Sequence, residues 1–439
     1  MRLPTMSVGT EESDTVRSPS TRGGGGMREI YLINVLGADR AGLTTRLMTL
    51  LAAYDVEVLD VGQAVIHDEL TLGLLIALPA AVDASPLLKD VLFLFHGEGL
   101  KVRFTPVAAD SYQQWVSEQG RSRYVVTLLA RRISAAHMAA AARIISEAGL
   151  NIEDIQRLSG RVSIRGDVSQ VGGACVELTV RGEPADLTTM RKDFLAIASD
   201  LGVDIAFQKD DAWRRYRRLV CFDMDSTLIE TEVIDELARC AGVGAQVAAI
   251  TERAMNGELD FKASFAARVA LLAGLDAHVL DDIVARLPLT EGAERLLAAL
   301  RRLGFKTAIL SGGFTYFGQA LQRRLGIDYV FANELEIVAG RVTGRVIGEV
   351  VDGERKACLL RELAAREGLV LEQVIAIGDG ANDLPMLSLA GLGIAFRAKP
   401  VVRAHAQQAI STLGLDGVLY LLGVSDRDHL DLLPPQLSS

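Results

Sequence analysis

Two aspartates, Asp223 and Asp225, close the apolar run Arg218-Leu-Val-Cys-Phe222. A short β-branched and aromatic run predicts a buried parallel strand, and ligands of open α/β sheets bind at the C-terminal ends of such strands. One carboxylate free to attack and a second able to move a proton suit phosphoryl transfer through an aspartyl-phosphate. The same residues also suit a plain strand with a polar turn that caps a helix, so the choice rests on residues further along the chain. Lys306-Thr-Ala-Ile-Leu310 is a second apolar strand leading into Ser311, Gly312 and Gly313. There a hydroxyl and two glycines let backbone N–H groups approach an anion. Lys356 opens a helix expected over residues 356–366. Val374-Ile-Ala-Ile-Gly378 is a third buried strand and runs into a glycine-bracketed turn carrying Asp379, Asn382 and Asp383. Oxygen ligands on a tight turn suit Mg²⁺, which takes one or two carboxylates together with phosphate and water.

The order Asp-x-Asp-x-Thr, strand-Ser-Gly-Gly, Lys, Gly-Asp-Gly-x-Asn-Asp resembles the haloacid dehalogenase superfamily of phosphotransferases, over residues 218–425. Within it, the narrower pattern is similar to the phosphoserine phosphatases. That pattern is Asp223-Met-Asp-Ser-Thr-Leu-Ile229, Glu232, Met255-Asn-Gly-Glu-Leu-Asp-Phe261, Arg268, Ser311-Gly-Gly-Phe314 and Gly378-Asp-Gly-Ala-Asn-Asp-Leu-Pro-Met386. The resemblance implies hydrolysis of O-phospho-L-serine to L-serine and phosphate, the last step of serine biosynthesis. Asp223 is then the nucleophile, and Asp225 donates a proton to the leaving hydroxyl before serving as base for water. Mg²⁺ is expected on Asp223, Asp379 and the backbone carbonyl of Asp225. Lys356, Ser311 and the N–H groups of Gly312 and Met224 are expected on the phosphoryl oxygens. Gly313 and Asn382 join the substrate side, Asp383 orients Lys356 or the metal's water, and Thr227 stands behind the metal-binding aspartates.

An amino-acid phosphate also needs an acid for its ammonium and a fork for its carboxylate, and arginine suits the latter. About eighty residues separate Thr227 from Ser311, far more than a crossover needs, so a helical cap is expected over about 232–288. Glu232 and Arg268 lie in it and correspond to the family's ammonium and carboxylate ligands. Met255 and Phe261 are expected to pack over the substrate's methylene as the cap closes. Another small-molecule or phosphoprotein phosphatase on the same machinery is the rival within catalysis. An amino-acid-binding regulator with a vestigial site is the rival outside it.

Upstream, residues 28–107 and 122–208 each follow a β-α-β-β-α-β order, the ferredoxin-like arrangement. They resemble a pair of ACT domains, small-molecule-sensing modules of amino-acid metabolism. The first carries the signature loop Gly37-Ala-Asp39-Arg40-Ala-Gly42, where a strand turns into a helix N-terminus that can meet a ligand carboxylate. An amino acid such as serine is the effector this implies. The corresponding loop of the second, Ala130-Arg-Arg-Ile-Ser-Ala135, has no glycine. The pair suits sensing and dimerising equally, and a homodimer is expected because ACT domains commonly pair. A mobile linker is expected over residues 108–121.

The whole chain is therefore read as α/β: a Rossmann-like parallel-sheet phosphatase core with an inserted helical cap, preceded by two ferredoxin-like folds. Its 439 residues leave room for two to four domains, and 49 % hydrophobic content permits sizeable cores. A net charge of −10 argues against nonspecific nucleic-acid binding. The basic cluster Arg214-Arg-Tyr-Arg-Arg218 is read as a linker and solvated lead-in to the next strand. Four cysteines without paired or metal-ligand spacing imply a reduced, cytoplasmic protein, with Cys221 and Cys358 as small core residues. No run is long and apolar enough for a membrane span. Residues 1–26, polar and ending in four glycines, are expected to be disordered, with Met27 a second candidate start.

Overall fold

The computed structural model describes residues 28–80, 82–161, 172–255 and 258–428; the expectation for residues 1–26 lies outside them. Of the described residues, those up to Gly120 form one compact body and those from Arg121 onward a second.

In the first body, strands β1 (Ile30–Ala38), β2 (Glu57–Ile66), β3 (Glu69–Ala77) and β4 (Lys101–Val107) form an antiparallel sheet of order β2-β3-β1-β4. The strict alternation of Ile33, Val35, Leu70, Leu72, Leu74 and Ile76 turns one face inward. Helices Leu43–Ala52 and Ala84–His96 cover that face with Leu47, Leu51, Leu87, Val91 and Phe95. Residues 109–117, expected to be a mobile linker, form a helix. Asp110 lies in its first turn, where an acid suits the helix dipole, and none of the residues from Ala109 to Gly120 interrupts it with proline.

In the second body, β5 (Arg123–Ala130), β6 (Asn151–Arg157), β7 (Ala174–Arg181) and β8 (Asp204–Lys209) repeat the same topology, in the order β6-β7-β5-β8. Ser134 and Asp186 cap the two helices, Ala135–Glu147 and Leu187–Leu201. β6 ends at Arg157. Beyond it Leu158 and Ser159 share the carbonyl of Cys175, and Gly160 N–H donates to the Asp426 carboxylate.

The remaining strands are β9 (Leu219–Phe222), β10 (Lys306–Phe314), β11 (Tyr329–Val338), β12 (Arg341–Ile347), β13 (Val374–Gly378), β14 (Leu392–Phe396) and β15 (Gln408–Ile410). They make one sheet in the order β12-β11-β10-β9-β13-β14-β15, parallel except for β12. β9, β13 and β14 are buried at every position, as a sheet covered on both faces requires. From β9 the chain passes to β10 on one side and reaches β13 on the other. The carboxyl ends of these three strands therefore border the crevice where the strand order switches.

The second βαββαβ fold shares its core with this sheet. Leu129, Cys175 and Ala206, on the face its helices leave open, join Leu413, Leu419 and Leu421 in one cluster. Asp204 accepts from Ser411 N–H, Thr412 N–H and Thr412 Oγ1 at 2.7–2.8 Å. The Gln408 side chain brackets the backbone of Phe207, accepting from its N–H at 2.9 Å and donating to its carbonyl at 2.7 Å. This junction overturns the reading of the basic cluster as solvated for Arg214 and Arg217, while Arg215 and Tyr216 stay exposed. Arg214 is buried against Glu177 and Arg217 donates to Gln208 at 3.0 Å, because the open sheet face needs polar partners once it is covered. Cys221 lies in the core as expected, but Cys358 is exposed: it follows the inward-facing Lys356 and Ala357 on its helix and falls on the solvent side. Among the described residues no helix is long and apolar enough to cross a membrane.

Candidate active site

Asp223 follows β9 directly, and its N–H donates to the Ile377 carbonyl of β13 at 2.8 Å, which ties two strand ends together. Its Oδ1 accepts from Met224 N–H at 2.8 Å and pairs with Lys356 Nζ at 2.9 Å. Lys356 is fully buried and also donates to Asp383 Oδ1 at 2.7 Å. Burial by itself would strip its proton; Asp223 and Asp383 outweigh that and hold the ammonium above the ordinary lysine range. Its helix begins at Gly353, a turn earlier than expected, because Asp352 caps it. Asp383 accepts from Gly380 N–H with its second oxygen, and Thr227 Oγ1 donates to Asp379 at 3.3 Å.

Oxygens of Asp223, Asp379 and Asp383 lie within 4.8 Å of one another. So many carboxylates in a desolvated turn repel: burial first, then Asp223 and its neighbours, push Asp379 up to about 8 and Asp383 up to about 7. An all-oxygen cluster with this excess of negative charge fits a hard divalent cation. Asp383 already commits both oxygens, so Asp223 and Asp379 are the residues best placed to hold one.

Asp225 lies on the other side of the β9 turn. Its Oδ1 accepts from Val233 N–H at 3.1 Å, the first residue of the helix Val233–Cys240. Burial, then Glu232 and Asp223, raise its carboxyl well above the ordinary range, so it favours the protonated form. Between the two, Ser226 adopts φ 56°, an uncommon conformation for a residue with a side chain. Its hydroxyl donates to Glu232 Oε1 at 2.9 Å.

Ser311, Gly312 and Gly313 lie within β10, where the register shifts, and not in a turn after it. Close approach requires glycine at Gly313, where a Cβ would collide with Asp225 Oδ2, and leaves little room at Gly312, where one would stand 3.2 Å from the Phe261 ring. Asn333, buried on β11, donates to the Gly312 carbonyl at 2.8 Å and accepts from Val351 N–H at 2.9 Å. Asn333 belongs to none of the sequence motifs, although a polar residue inside an apolar strand is the signal that marks it.

Helices Val233–Cys240, Gly244–Met255, Phe261–Ala270 and His278–Arg286 form the cap. Phe261 stacks on Phe265, with centroids 6.0 Å apart, and Phe265 meets Phe314 of β10 at 5.9 Å. Lys262 pairs with Asp352 at 3.1 Å, a second link from cap to core. Arg268 has no bonded partner among the described residues, and its Nε is buried without a hydrogen bond. Burial lowers its guanidinium below the usual range, and Glu232 is the charge that most opposes that shift. Met255 ends its helix, and its side chain lies outside the described residues.

A cavity of about 820 Å³ joins these groups. Asp223, Asp225, Ser311, Asp379 and Asn382 line its core end; Glu232, Phe261 and Arg268 line its cap end. In the first body, Gly37 and Gly42 take φ 144° and 88°, Gly42 opens a helix without a side-chain cap, and Arg40 pairs with Glu98. Asp39 N–H donates to the Asp68 carbonyl there.

Three regions match known families: residues 220–388 the haloacid dehalogenase-like hydrolases, and residues 29–105 and 122–208 the ACT domains. The chain is 44 % identical over 396 residues to a phosphoserine phosphatase of Streptomyces coelicolor, covering 90 % of this chain and 92 % of that one. It is 43 % identical over 395 residues to the phosphoserine phosphatase SerB2 of Mycobacterium tuberculosis, covering 90 % and 93 %. Among solved structures, a probable phosphoserine phosphatase from Vibrio cholerae superposes with a TM-score of 0.54 at 36 % identity, over 72 % of this chain and 89 % of that one.

Proposed function

Because the chain belongs to the phosphoserine phosphatase family of haloacid dehalogenase-like hydrolases, we propose that it hydrolyses O-phospho-L-serine to L-serine and phosphate through an aspartyl-phosphate on Asp223. The observation that carries this reading is the shared cavity. It has buried carboxylates at one end, with the Lys356 ammonium bonded to Asp223 behind them. At the other, an acid stands beside a guanidinium that has no bonded partner among the described residues.

Lys356 and Met224 N–H both engage Oδ1 of Asp223, so Oδ2 is the oxygen left to attack phosphorus. Lys356, the Ser311 hydroxyl, whose oxygen accepts from Gly313 N–H at 2.9 Å, and the Gly312 N–H take up the phosphoryl charge. A divalent cation, Mg²⁺ by its all-oxygen donor set, would be held by Asp223, Asp379 and the Asp225 carbonyl and would neutralise the same oxygens. Asp225, protonated because it is buried, gives its proton to the departing serine oxygen. It then takes one from the water that cleaves the acyl-phosphate. Asp383 keeps Lys356 aimed at Asp223.

At the far end, the Arg268 fork suits the substrate carboxylate and Glu232 its ammonium, with Asn382 beside the phosphate. Phe261 closes over the methylene between them and excludes water. The loop from Gly37 to Gly42 is the place for an amino-acid effector such as serine, with the free N–H groups of a helix start for its carboxylate.

The test is phosphate release from L-phosphoserine, phosphoethanolamine and sugar phosphates in the presence of Mg²⁺. Strong preference for phosphoserine is expected. Equal rates on phosphoethanolamine, which lacks the carboxylate, would remove Arg268 from its role.

A further inference from the structure

The cap leaves the core after Ile229 and returns at Leu289, and the two crossings are stitched together. Ile229 and Leu289 form an isolated antiparallel bridge. Glu230 N–H donates to the Pro288 carbonyl, and Thr290 N–H to the Leu228 carbonyl, each at 3.0 Å. The cap is also bridged to β12 where Asp276 pairs with Arg341. Opening or closing of the cap is therefore shared between that bridge and this crossing, the place where the chain itself passes between cap and core and few residues carry the change in backbone angle. Glu291 comes immediately after it. Its carbonyl accepts from Leu415 N–H at 2.7 Å, and Gly292 behind it takes φ 80° against Asp416. The backbone is thus anchored on the core side of the hinge, and the Glu291 side chain is the first charged group beyond it.

Two arginines hold that side chain by one oxygen. Arg397 Nη2 donates to Glu291 Oε2 at 2.8 Å, and Arg131 Nη2 donates to the same oxygen at 2.6 Å. Arg397 is a non-glycine residue at φ 44°, and its Nη1 lies 3.9 Å from Glu230 on the outgoing crossing. It therefore reaches both hinge strands. Arg131 comes from elsewhere: it is the first residue after β5 in the second βαββαβ fold, in the loop that carries Gly37 and Gly42 in the first. That loop is fixed on the catalytic sheet, since Thr412 Oγ1 donates to the Leu129 carbonyl and to Asp204. Burial works against the Glu291 carboxylate, and the two arginines outweigh it, holding it ionised.

We propose that Arg131 is a positioning residue for the cap: from the docked second βαββαβ fold it holds Glu291 beside the hinge and thereby sets how readily the cap closes. The inference rests on the cap acting as the lid over phosphoserine. Without Arg131, Arg397 is left to divide itself between Glu291 and Glu230, and the crossing loses its outside anchor. The glycine-free loop of the second fold then has a use of its own, as a brace.

Hydrogen exchange and steady-state kinetics on the full chain test this with Arg131→Ala, Arg131→Lys and Glu291→Gln. Arg131→Ala should speed exchange in residues 228–232 and 287–291 by roughly two- to fivefold, the size of one half-exposed ion pair. It should raise KM for phosphoserine by a similar factor and leave kcat within about twofold. Arg131→Lys should restore most of the effect. Glu291→Gln should reproduce it without adding to Arg131→Ala, and about 1 M salt should erase the difference from wild type. Unchanged hinge exchange and KM in Arg131→Ala would overturn the proposal. So would faster exchange spread evenly over residues 123–130 and 204–209, which signals simple undocking. If the chain does not act on phosphoserine at all, the exchange measurement still decides the role of Arg131, so the two readings fail separately.

Discussion

At the core end of the cavity the charged groups are bound to one another: Asp223 to Lys356, Lys356 to Asp383, Asp383 to a backbone N–H. At the cap end Glu232 accepts one hydroxyl, and Arg268 has no partner among the described residues. The first arrangement is preorganised and rigid, since charges buried with their partners cannot move without large cost. On the proposed function, the zwitterionic substrate completes the second. The difference teaches that the groups assigned to the phosphoryl chemistry are built into the parallel sheet, whereas those assigned to the rest of the substrate are carried by the cap helices. Changes at the core end should therefore strike kcat, and changes at the cap end should strike KM and selectivity.

The strongest way to break this contrast is Asp223→Asn, which removes the proposed nucleophile and should lower kcat on the order of 10⁴-fold or more, with substrate still bound. Phosphate release in single-turnover mixing reads this, and a loss confined to KM would undo the assignment. Asp225→Asn comes next. It should cost roughly 10²–10⁴-fold in kcat, less for aryl phosphates whose leaving group needs no proton. An equal loss for serine and aryl leaving groups would argue against proton donation. At the cap end, Arg268→Ala should cost about 1.5–3 kcal/mol, roughly 10- to 150-fold in kcat/KM for phosphoserine. Phosphoethanolamine should lose little, and parallel losses on both substrates would show that Arg268 only supports the cap.

The core end also makes a prediction about pH. Asp379 and Asp383 hold their protons more tightly folded than unfolded, the first near about 8 against an ordinary 3.8. Between those values the folded chain binds more protons, so stability is lost as pH rises through the window. Chelator-treated protein should melt at progressively lower temperature from acid toward pH 8, and Mg²⁺ should flatten that slope. A flat profile without metal would mean the carboxylates do not repel. The smallest effect on activity is expected at the junction of the second βαββαβ fold. Asp204→Ala strands three donors and should cost about 3 kcal/mol of stability, seen in denaturant unfolding, with kcat changed only a few-fold.

Much of the candidate site was legible because its residues directly follow apolar runs. Asp223, Asp379 and Ser311 are each within two residues of an apolar run whose burial is evident from composition, so parallel pairing brings them to one edge. The partners of Asn333 and of Val233 N–H were not legible: a polar residue inside an apolar strand marks Asn333 without naming the Gly312 carbonyl as its partner, and a backbone N–H such as that of Val233 carries no mark in the sequence. The two βαββαβ folds divide the same way. Alternating apolar residues determine both sheets, yet nothing local distinguishes the open face that is covered. At matched positions the second fold pairs Leu129 with Asp204 and Thr127 with Ala206, where the first pairs Leu36 with Lys101 and Asn34 with Arg103. Asp204 and Gln208 look like solvent-facing residues until Thr412 and the Leu421 carbonyl meet them. Arg214 and Arg217 were misread for the same reason.

By itself, then, the amino-acid sequence determined the strands, the helices and the catalytic turns, because these depend on side-chain period, caps and glycine within a few residues. Only the tertiary structure decided which strand lies at the centre, which arginines are buried and which loop braces the cap. Those outcomes depend on long-range pairing, and a charged residue in the chain carries no mark of whether an opposite charge or water will face it.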